Sequence, residues 1–277
     1  MRWTPGGRSR NLEDRRGMGG LGKGLGIGGT VIVLALSLLT GRNLFNDLGV
    51  EPGAGVGTGS PMTAADSARE ENEVLFVSFV LDDADSTWAN VLSRYNHPYE
   101  PPKLVLFRNS TQSGCGFAQS AMGPFYCPLD QKIYIDLGFY DELKTRFGAD
   151  GDFAQAYVLA HEFGHHIQHL AGTDARVRQA QGSDPGSANQ LSIRMELQAD
   201  CYAGIWANST QKRNILSAGD VDEAMSAASA VGDDRIQQQS GQRVNVDAFT
   251  HGSAQQRMEW FGRGFQSGDL KSCDTFA

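Results

Sequence analysis

Residues 157–170, YVLAHEFGHHIQHL, bring four histidines and one glutamate into a segment whose other side chains are mostly apolar. Apart from this polar set, no charged residue or proline interrupts residues 153–167, which predicts a helix buried on most of its surface. Imidazole and carboxylate groups are costly to bury without a partner. The fold must therefore supply this helix with polar partners or with a metal ion.

His161, Glu162 and His165 form a His-Glu-x-x-His pattern in this helix. Positions i and i+4 lie one turn apart on the same face, so both imidazoles can reach a single zinc ion. Zinc accepts two such nitrogens and leaves room for a third protein ligand and a water molecule. Glu162 lies about 100° further around the helix, where it can take a proton from that water. The pattern therefore predicts a catalytic site for one Zn²⁺ ion.

A third zinc ligand is available on a second predicted helix, LSIRMELQADCYAGIWAN, which Ser187 and Gln190 introduce as a capping-box pattern. Glu196 is predicted to be this ligand. Asp200 lies one turn later on the same face, and a zinc-bound imidazole usually donates its other N–H to a carboxylate. Asp200 is therefore predicted to hold His161 in position.

Two alternatives to this ligand set stay open. The pattern can arise by chance on a core helix whose histidines bond to backbone groups. His169, one turn after His165, can compete with Glu196, although a solvated or capping role suits its position near the helix end. A longer form of the His-Glu-x-x-His pattern, in which a histidine is the third ligand, requires glycine at 168 and histidine at 171. The chain has Gln168 and Ala171, which excludes this form.

His251 and Arg257, in FTHGSAQQRMEWF, are candidate donors to the negative charge that develops on a substrate carbonyl oxygen. His251 is the preferred donor, and Arg257 is assigned to the layer of residues behind the ligands. The alternative is a structural role, in which Thr250 or Ser253 begins a helix and Arg257 forms an ion pair. His166 points away from the predicted metal face, which indicates a separate hydrogen-bonding role.

The net charge of the 277-residue chain is −8, and it is unevenly distributed. Residues 1–24 contain six cations and two anions, so the rest of the chain carries −12. This acidic balance argues against a nucleic acid as partner, because clustered cations supply the affinity for nucleic acids.

Residues 24–41, GLGIGGTVIVLALSLLTG, are uncharged and lie between Lys23 and Arg42. Eighteen residues of helix reach roughly 27 Å, just enough for a thin hydrocarbon core. Because the basic flank precedes this segment, the N-terminus is predicted in the cytoplasm and everything after Gly41 outside it. A cleaved signal peptide is the alternative, but no clear A-x-A site follows, which favours an uncleaved single-pass anchor in the cell membrane.

The four cysteines are Cys115, Cys127, Cys201 and Cys273. An even number outside the cytoplasm indicates two disulfides, and four cysteines allow three pairings. We predict Cys115–Cys127, which are close in sequence, and Cys201–Cys273, which would tether the C-terminal tail. Free buried thiols are the alternative. A structural zinc finger is not indicated, because the chain has no Cys-x-x-Cys pair.

The predicted organisation has four parts. They are a basic cytoplasmic segment (1–23), a transmembrane anchor (24–41), a flexible Gly-rich spacer (42–66) and a zinc-binding domain (67–277). Within the domain, KLVLF and KIYIDL are predicted strands of a small sheet. The residues that follow Ser67 are predicted to form two short helices broken near Asp83.

These residues resemble a bacterial family of membrane-anchored neutral zinc metallopeptidases. The resemblance is carried by AYVLAHEFGHHIQ, ELQADCYAGIW, GDDRIQ, FTHGSAQQR and CDTF, and it covers nearly the whole chain apart from the spacer. It implies a peptidase without fixing a substrate, because the family is named largely from its motif.

A wider similarity is to gluzincins, whose third ligand is the glutamate of a Glu-x-x-x-Asp helix. The similarity implies zinc ligation by His161, His165 and Glu196, a general base at Glu162 and an orienting carboxylate at Asp200. Membrane gluzincins carry Thr-His-Pro followed by arginine, whereas this chain has Gly252 in place of the proline. They also have several membrane helices, and this chain has one predicted anchor.

The sequence therefore predicts an α+β, zincin-like domain that is mostly helical with a small sheet. We expect it to hydrolyse peptide bonds outside the cytoplasm with one zinc ion, and to bind a peptide along a sheet edge in the KIYIDL or GPFYC region. One alternative is a non-catalytic module in which zinc is structural and the domain docks an envelope partner. Another is a zinc hydrolase that acts on a non-peptide amide or ester.

Overall fold

The computed structural model describes residues 1–16 and 64–277, which form a helix-rich α+β fold with two small sheets. The helices are α1 (Ala64–Ser93), α2 (Gly138–Thr145), α3 (Asp152–Leu170), α4 (Thr173–Ser183), α5 (Ala188–Lys212), α6 (Asp220–Ala230), α7 (Asp233–Gln239) and α8 (Ala254–Ser267). The strands are β1 (Leu12–Asp14), β2 (Lys103–Phe107), β3 (Ser110–Ser113), β4 (Gly116–Gln119), β5 (Phe125–Cys127) and β6 (Lys132–Asp136). The predicted α+β, mostly helical class is confirmed, and a zincin-like fold stays a prediction.

The larger sheet has the strand order β1-β2-β6-β5. Strands β1, β2 and β6 are parallel, and β5 pairs antiparallel with β6 at one edge. Successive side chains point to opposite faces of a strand, so Leu104 and Ile133 enter the main core while Val105 and Tyr134 pack with Cys127 in a smaller cluster. The predicted strands KLVLF and KIYIDL are confirmed. Because β6 is an inner strand, only β5 of the two predicted regions has a free edge.

Helix α3 occupies the centre of the fold. It packs against α1, α5 and α6, and it also contacts β5 and β6. Fourteen of its 19 residues are buried, including the aromatic side chains of Phe153, Tyr157 and Phe163, so the helix is surrounded on most sides. This burial confirms the prediction of a buried helix in this segment.

Residues 1–16 belong to the same fold as residues 64–277. Strand β1 pairs with β2, from Leu12 opposite Leu104 to Asp14 opposite Leu106. The amino nitrogen of Met1 lies 2.6 Å from Asp152 Oδ1 at the start of α3. Residues 1–16 therefore pack with the predicted domain 67–277 in the part of the chain that the structure describes. The placement of either segment relative to a membrane stays a prediction.

The predicted anchor, residues 24–41, lies outside the described residues. Among the helices of residues 1–16 and 64–277, none is long and apolar enough to cross a membrane. Most of the predicted spacer is also undescribed, but its last three residues already belong to α1.

Two local predictions are wrong. Helix α1 runs through Asp83 without a break, because Trp206 Nε1 and Arg213 Nη2 donate to the Asp83 carboxylate at 2.8 and 2.9 Å and remove the cost of its burial. Ser187 does not cap α5 with its side chain, since a short 3₁₀ turn, Pro185–Ser187, leads directly into that helix.

Both predicted disulfides are confirmed. Cys115 in the β3–β4 loop is bonded to Cys127 at the end of β5, which ties the hairpin to the sheet edge. Cys201 in α5 is bonded to Cys273 near the C-terminus, and both residues are fully buried.

Candidate metal centre

Helices α3 and α5 approach closely at a glycine. A Cβ atom on Gly164 would lie 2.9 Å from the carbonyl oxygen and 3.0 Å from the Cα of Ala199, closer than ordinary packing allows. Glycine at 164 and the small side chain at 199 therefore allow the two backbones to meet between the histidines of α3 and the acidic residues of α5. The sequence pattern HEFGHH contains this glycine, but only the packing of the two helices explains it.

The side chains of His161, His165 and Glu196 converge on one point. His161 Nε2 lies 3.1 Å from Glu196 Oε2, and His165 Nε2 lies 3.5 Å from Glu196 Oε1. The three ligand atoms all lie within 4.8 Å of one another. Zinc bonds of about 2.0–2.1 Å in a tetrahedron separate neighbouring ligand atoms by roughly 3.3 Å. Two nitrogens and one carboxylate oxygen at these separations fit a zinc ion.

Behind His161 lies a fully buried polar cluster. His161 Nδ1 donates to Asp200 Oδ1 at 2.7 Å, and Tyr157 OH donates to the same oxygen at 2.5 Å. Arg257 donates to both carboxylate oxygens, from Nε at 2.8 Å and from Nη2 at 3.0 Å. The structure thus brings Asp200 and Arg257 together beside His161, on three different helices.

Burial and neighbouring charges shift the pKa values of the groups around His161. Burial opposes the charged form of Asp200, but Arg257 and His161 hold the pKa of the carboxyl group below its ordinary value. Burial also opposes protonation of His161, yet Asp200 and Glu196 raise its pKa to about 10. For Glu196, His165 and His161 outweigh burial and lower the pKa.

Sequence reasoning missed Tyr157 in this cluster. The signal was present, because Tyr157, His161 and His165 are spaced four residues apart and share one face of α3. The sequence is equally consistent with a tyrosine that only fills the core at that position. Only the orientation of its hydroxyl group toward Asp200 distinguishes the two roles.

Glu162 faces a cleft of about 640 Å³ beside the convergence point. Its side chain is buried except for 8% of its surface, and none of the described residues donates a hydrogen bond to its carboxylate. A carboxylate that opens onto a cleft without a protein donor is free to accept a proton from a molecule bound there.

His251 lies at the rim of the same cleft, in a loop that Asp233 holds in place. Asp233 Oδ2 accepts hydrogen bonds from the backbone nitrogens of Thr250, His251 and Gly252 at 2.7, 2.6 and 3.0 Å. His251 Nδ1 lies 3.2 Å from Asp233 Oδ1. This bond raises the pKa of His251, although burial opposes the shift. Asp233 of the segment GDDRIQ therefore holds the loop that carries His251, a structural role that the sequence did not reveal.

Ser253, His166 and His169 have local structural partners in the fold. Ser253 begins α8 with a capping box that includes Gln256. His166 is fully buried and bonded to Tyr126 OH and to the carbonyl oxygen of Glu100, and burial lowers its pKa to about 4. His169 Nδ1 lies 2.9 Å from Asp174 Oδ2. Neither histidine belongs to the His161, His165 and Glu196 group.

Helix packing also fixes the position of Arg257. On α5, a Cβ atom on Gly204 would lie 2.1 Å from the carbonyl oxygen of Phe261, and on α8 a Cβ atom on Gly264 would lie 1.9 Å from that of Cys201. Helices α5 and α8 therefore touch through their backbones one to two turns from the Asp200–Arg257 pair. This close contact lies beside the point where the Arg257 guanidinium group donates to the Asp200 carboxylate.

The chain belongs to a family of zinc metallopeptidases. A family model described as "Putative neutral zinc metallopeptidase" matches residues 1–276, which confirms the resemblance found in the sequence. The family name implies zinc, and His161, His165 and Glu196 are a group that could hold it.

Two relatives illustrate the extent of the match. The "Uncharacterized protein YpfJ" of Escherichia coli (strain K12) is 48% identical over 288 aligned positions, which cover 100% of this chain and 99% of that protein. The "Uncharacterized protein Rv2575" of Mycobacterium tuberculosis (strain ATCC 25618 / H37Rv) is 45% identical over 207 positions, which cover 71% of this chain and 68% of that protein. No solved structure matches the chain.

Proposed function

We propose that this protein is a zinc-dependent peptidase. One observation carries the proposal: His161, His165 and Glu196 converge within zinc-binding distance beside a cleft into which Glu162 opens. The pattern of two histidines and a carboxylate, with a separate carboxylate as base, is suited to hydrolysis by an activated water molecule.

The number of ligands favours catalysis over a structural zinc site. Structural sites are normally closed by four protein ligands, whereas catalytic sites use three and leave one position for water or substrate. Among the described residues, the group at the cleft has three ligand atoms, from His161, His165 and Glu196. This count argues against the alternative of a non-catalytic module stabilised by zinc.

Each residue of the cleft has a chemical role in the proposed reaction. When bound, zinc polarises the substrate carbonyl group and lowers the pKa of the attacking water. Glu162 takes the proton of that water and passes it to the leaving amine. His251 donates a hydrogen bond to the carbonyl oxygen as negative charge develops on it. Asp200, held by Arg257, keeps the Nε2 atom of His161 directed at the metal.

A peptide substrate would bind along the free edge of β5. Phe125 and Tyr126 of this strand line the cleft, and β6 occupies its other edge. Backbone hydrogen bonds to an added strand bind peptides of many sequences, and side-chain pockets provide the selectivity. This feature favours a peptide over a small amide or ester.

We also propose that the domain functions outside the cytoplasm. The two disulfides support this location, because such bonds persist in oxidising compartments and are rare in the cytosol. Attachment to the membrane through residues 24–41 stays a prediction.

Metal removal tests the proposed function directly. We expect the purified full-length protein to contain about one zinc per chain, to cleave members of a mixed peptide library, and to lose this activity with a chelator. Added Zn²⁺ should restore it. Mass spectrometry of the products identifies the broken bonds. Cleavage that survives complete zinc removal would refute the proposal, and zinc-dependent hydrolysis of ester or non-peptide amide probes alone would favour the other hydrolase.

Asp233→Asn is expected to move the alkaline limb of the pH–activity profile to lower pH. The Nδ1 atom of His251 donates to Asp233, so Nε2 can donate to substrate only while the ring is protonated. Activity should therefore fall as pH rises through the His251 pKa, which Asp233 raises. Without the carboxylate this pKa falls, and the loss should begin at lower pH. The measurement is kcat/KM against pH.

Asp234→Asn is the matched control for this experiment. Asp234 accepts a hydrogen bond from the backbone nitrogen of Ala254 at 2.7 Å, an acceptor role that asparagine retains. The Asp234→Asn substitution removes the same negative charge at the neighbouring position, and Asp234 has no hydrogen bond to His251. An alkaline limb that moves equally in both variants, or in neither, would contradict the role of His251.

A further inference from the structure

We infer that Gln168 is the residue that positions His165 for the metal. It would do for the second histidine what Asp200 does for the first, and it would couple that histidine to the backbone that carries Glu196. This assignment builds on the proposed metal site but does not depend on the nature of the reaction.

Gln168 is fully buried and uses both ends of its amide group. Its Oε1 atom accepts a hydrogen bond from His165 Nδ1 at 2.8 Å. Its Nε2 atom donates to the carbonyl oxygen of Met195 at 2.7 Å and to Gln198 Oε1 at 3.2 Å. Residues 165 and 168 are i and i+3 on α3, so the two side chains are neighbours on one helix surface.

The acceptors around Gln168 determine which nitrogen of His165 carries the proton. A backbone carbonyl can only accept, so the amide NH₂ group must face Met195 and the amide oxygen must face His165. His165 Nδ1 must then be the protonated nitrogen. The lone pair of His165 is therefore on Nε2, the atom that lies 3.5 Å from Glu196 Oε1. This is the tautomer that a metal ion requires at that position.

The same amide connects the two ligand helices. Met195 immediately precedes Glu196, so the bond from Gln168 to its carbonyl oxygen fixes the α5 backbone beside the third ligand. Gln198 continues the connection, because its Nε2 atom donates to the carbonyl oxygen of Cys273 at 3.0 Å. The chain of amides thus runs from His165 to the buried Cys201–Cys273 disulfide. The orientation of each amide is set by a backbone acceptor at its far end.

Partners that orient metal-bound histidines typically contribute 10–100-fold to metal affinity. We therefore expect Gln168→Met, which keeps the length of the side chain but removes its oxygen acceptor, to weaken zinc binding by roughly 10–100-fold. The measurement is competition for zinc between the full-length protein and a chromophoric chelator. Absorption spectra of the Co²⁺-loaded protein report separately whether the coordination geometry has changed. Neither readout requires peptidase activity, so the result stands even if the proposed reaction is wrong.

Two further variants separate orientation from structural support. Gln168→Glu retains an oxygen for His165 Nδ1 but cannot donate to Met195, so its zinc affinity should be closer to the parent than that of Gln168→Met. Gln190→Met makes the same chemical change at an exposed position of α5 and should bind zinc as the parent does. Melting of the metal-free variants shows whether each is folded.

The assignment would be overturned by unchanged zinc affinity and Co²⁺ spectrum in Gln168→Met. It would also be overturned if the folded Met and Glu variants lost affinity equally, since the bond to His165 would then contribute nothing. If Gln168→Met does not fold, the Glu variant decides, and a loss of zinc affinity of 100-fold or more in that variant would reject the assignment.

Discussion

Glu162→Gln is expected to bind zinc as the parent does and to lose turnover by about 10²–10⁴-fold. The amide has the shape of the carboxylate but cannot accept the proton of the attacking water. Among the described residues, none donates a hydrogen bond to the Glu162 carboxylate, so the replacement breaks no hydrogen bond with those residues. Two measurements test this prediction: turnover of a casein-like substrate and of peptides, and zinc content by mass spectrometry.

Glu259→Gln is the matched control. Glu259 is exposed on α8, and its Oε1 atom accepts a bond from Gln255 Nε2 at 2.8 Å that a glutamine oxygen can also accept. This variant should retain both zinc and turnover. A Glu162→Gln protein that cleaves casein as fast as the parent would refute the role of Glu162 as general base. Loss of zinc together with activity would instead make Glu162 part of the metal site.

Arg257→Met is expected to destabilise the protein by about 3–5 kcal/mol, because it removes a cation and two hydrogen bonds from the buried Asp200 carboxylate. Asp200 is fully buried and Arg257 is only 4% exposed, so the carboxylate loses its partner in the protein interior, where an unpaired charge is costly. A loss of this size lowers the Tm of a chain of this length by roughly 10 °C. Thermal and denaturant unfolding of the metal-free protein measure the effect.

The double variant Asp200→Asn/Arg257→Met tests the cause. An asparagine oxygen can still accept from His161 Nδ1 and Tyr157 OH, and no unpaired charge remains. We expect the loss in free energy of unfolding of the double variant to be about 0.5–3 kcal/mol smaller than the sum of the losses of the two single variants. Additive losses would mean that the two side chains contribute through packing and not through their charges.

The local pattern of the sequence was sufficient for much of the candidate site. The i and i+4 spacing of His161 and His165 is fixed by helix geometry, and the same spacing relates Glu196 to Asp200. Each pair therefore follows from the sequence once a helix is assumed. The two disulfides were also predicted correctly. One joins cysteines that are close in sequence, and once this pair is assigned, only the other two cysteines remain.

Predictions failed where a distant contact overrides the local signal. Asp83 looks like a helix break, but Trp206 and Arg213 supply its hydrogen bonds from a helix more than 100 residues away. The sequence also did not reveal the partners of the basic residues near the N-terminus. Arg8 and Arg16 pair with Glu71 and Glu70 of α1, and β1 extends the sheet. Charge patterns alone do not distinguish a solvated segment from one whose partners lie elsewhere in the chain.

By itself the sequence determined which helix faces carry the histidines and carboxylates, because those positions depend only on the helical repeat. Tertiary structure alone decided how these faces meet. Gly164, Gly204 and Gly264 allow three helices to approach backbone to backbone, and buried partners such as Tyr157 and Gln168 then set the orientation of each imidazole. The physical reason is range: the helical repeat acts over a few residues, whereas close packing and buried hydrogen bonds join groups that only the complete fold brings together.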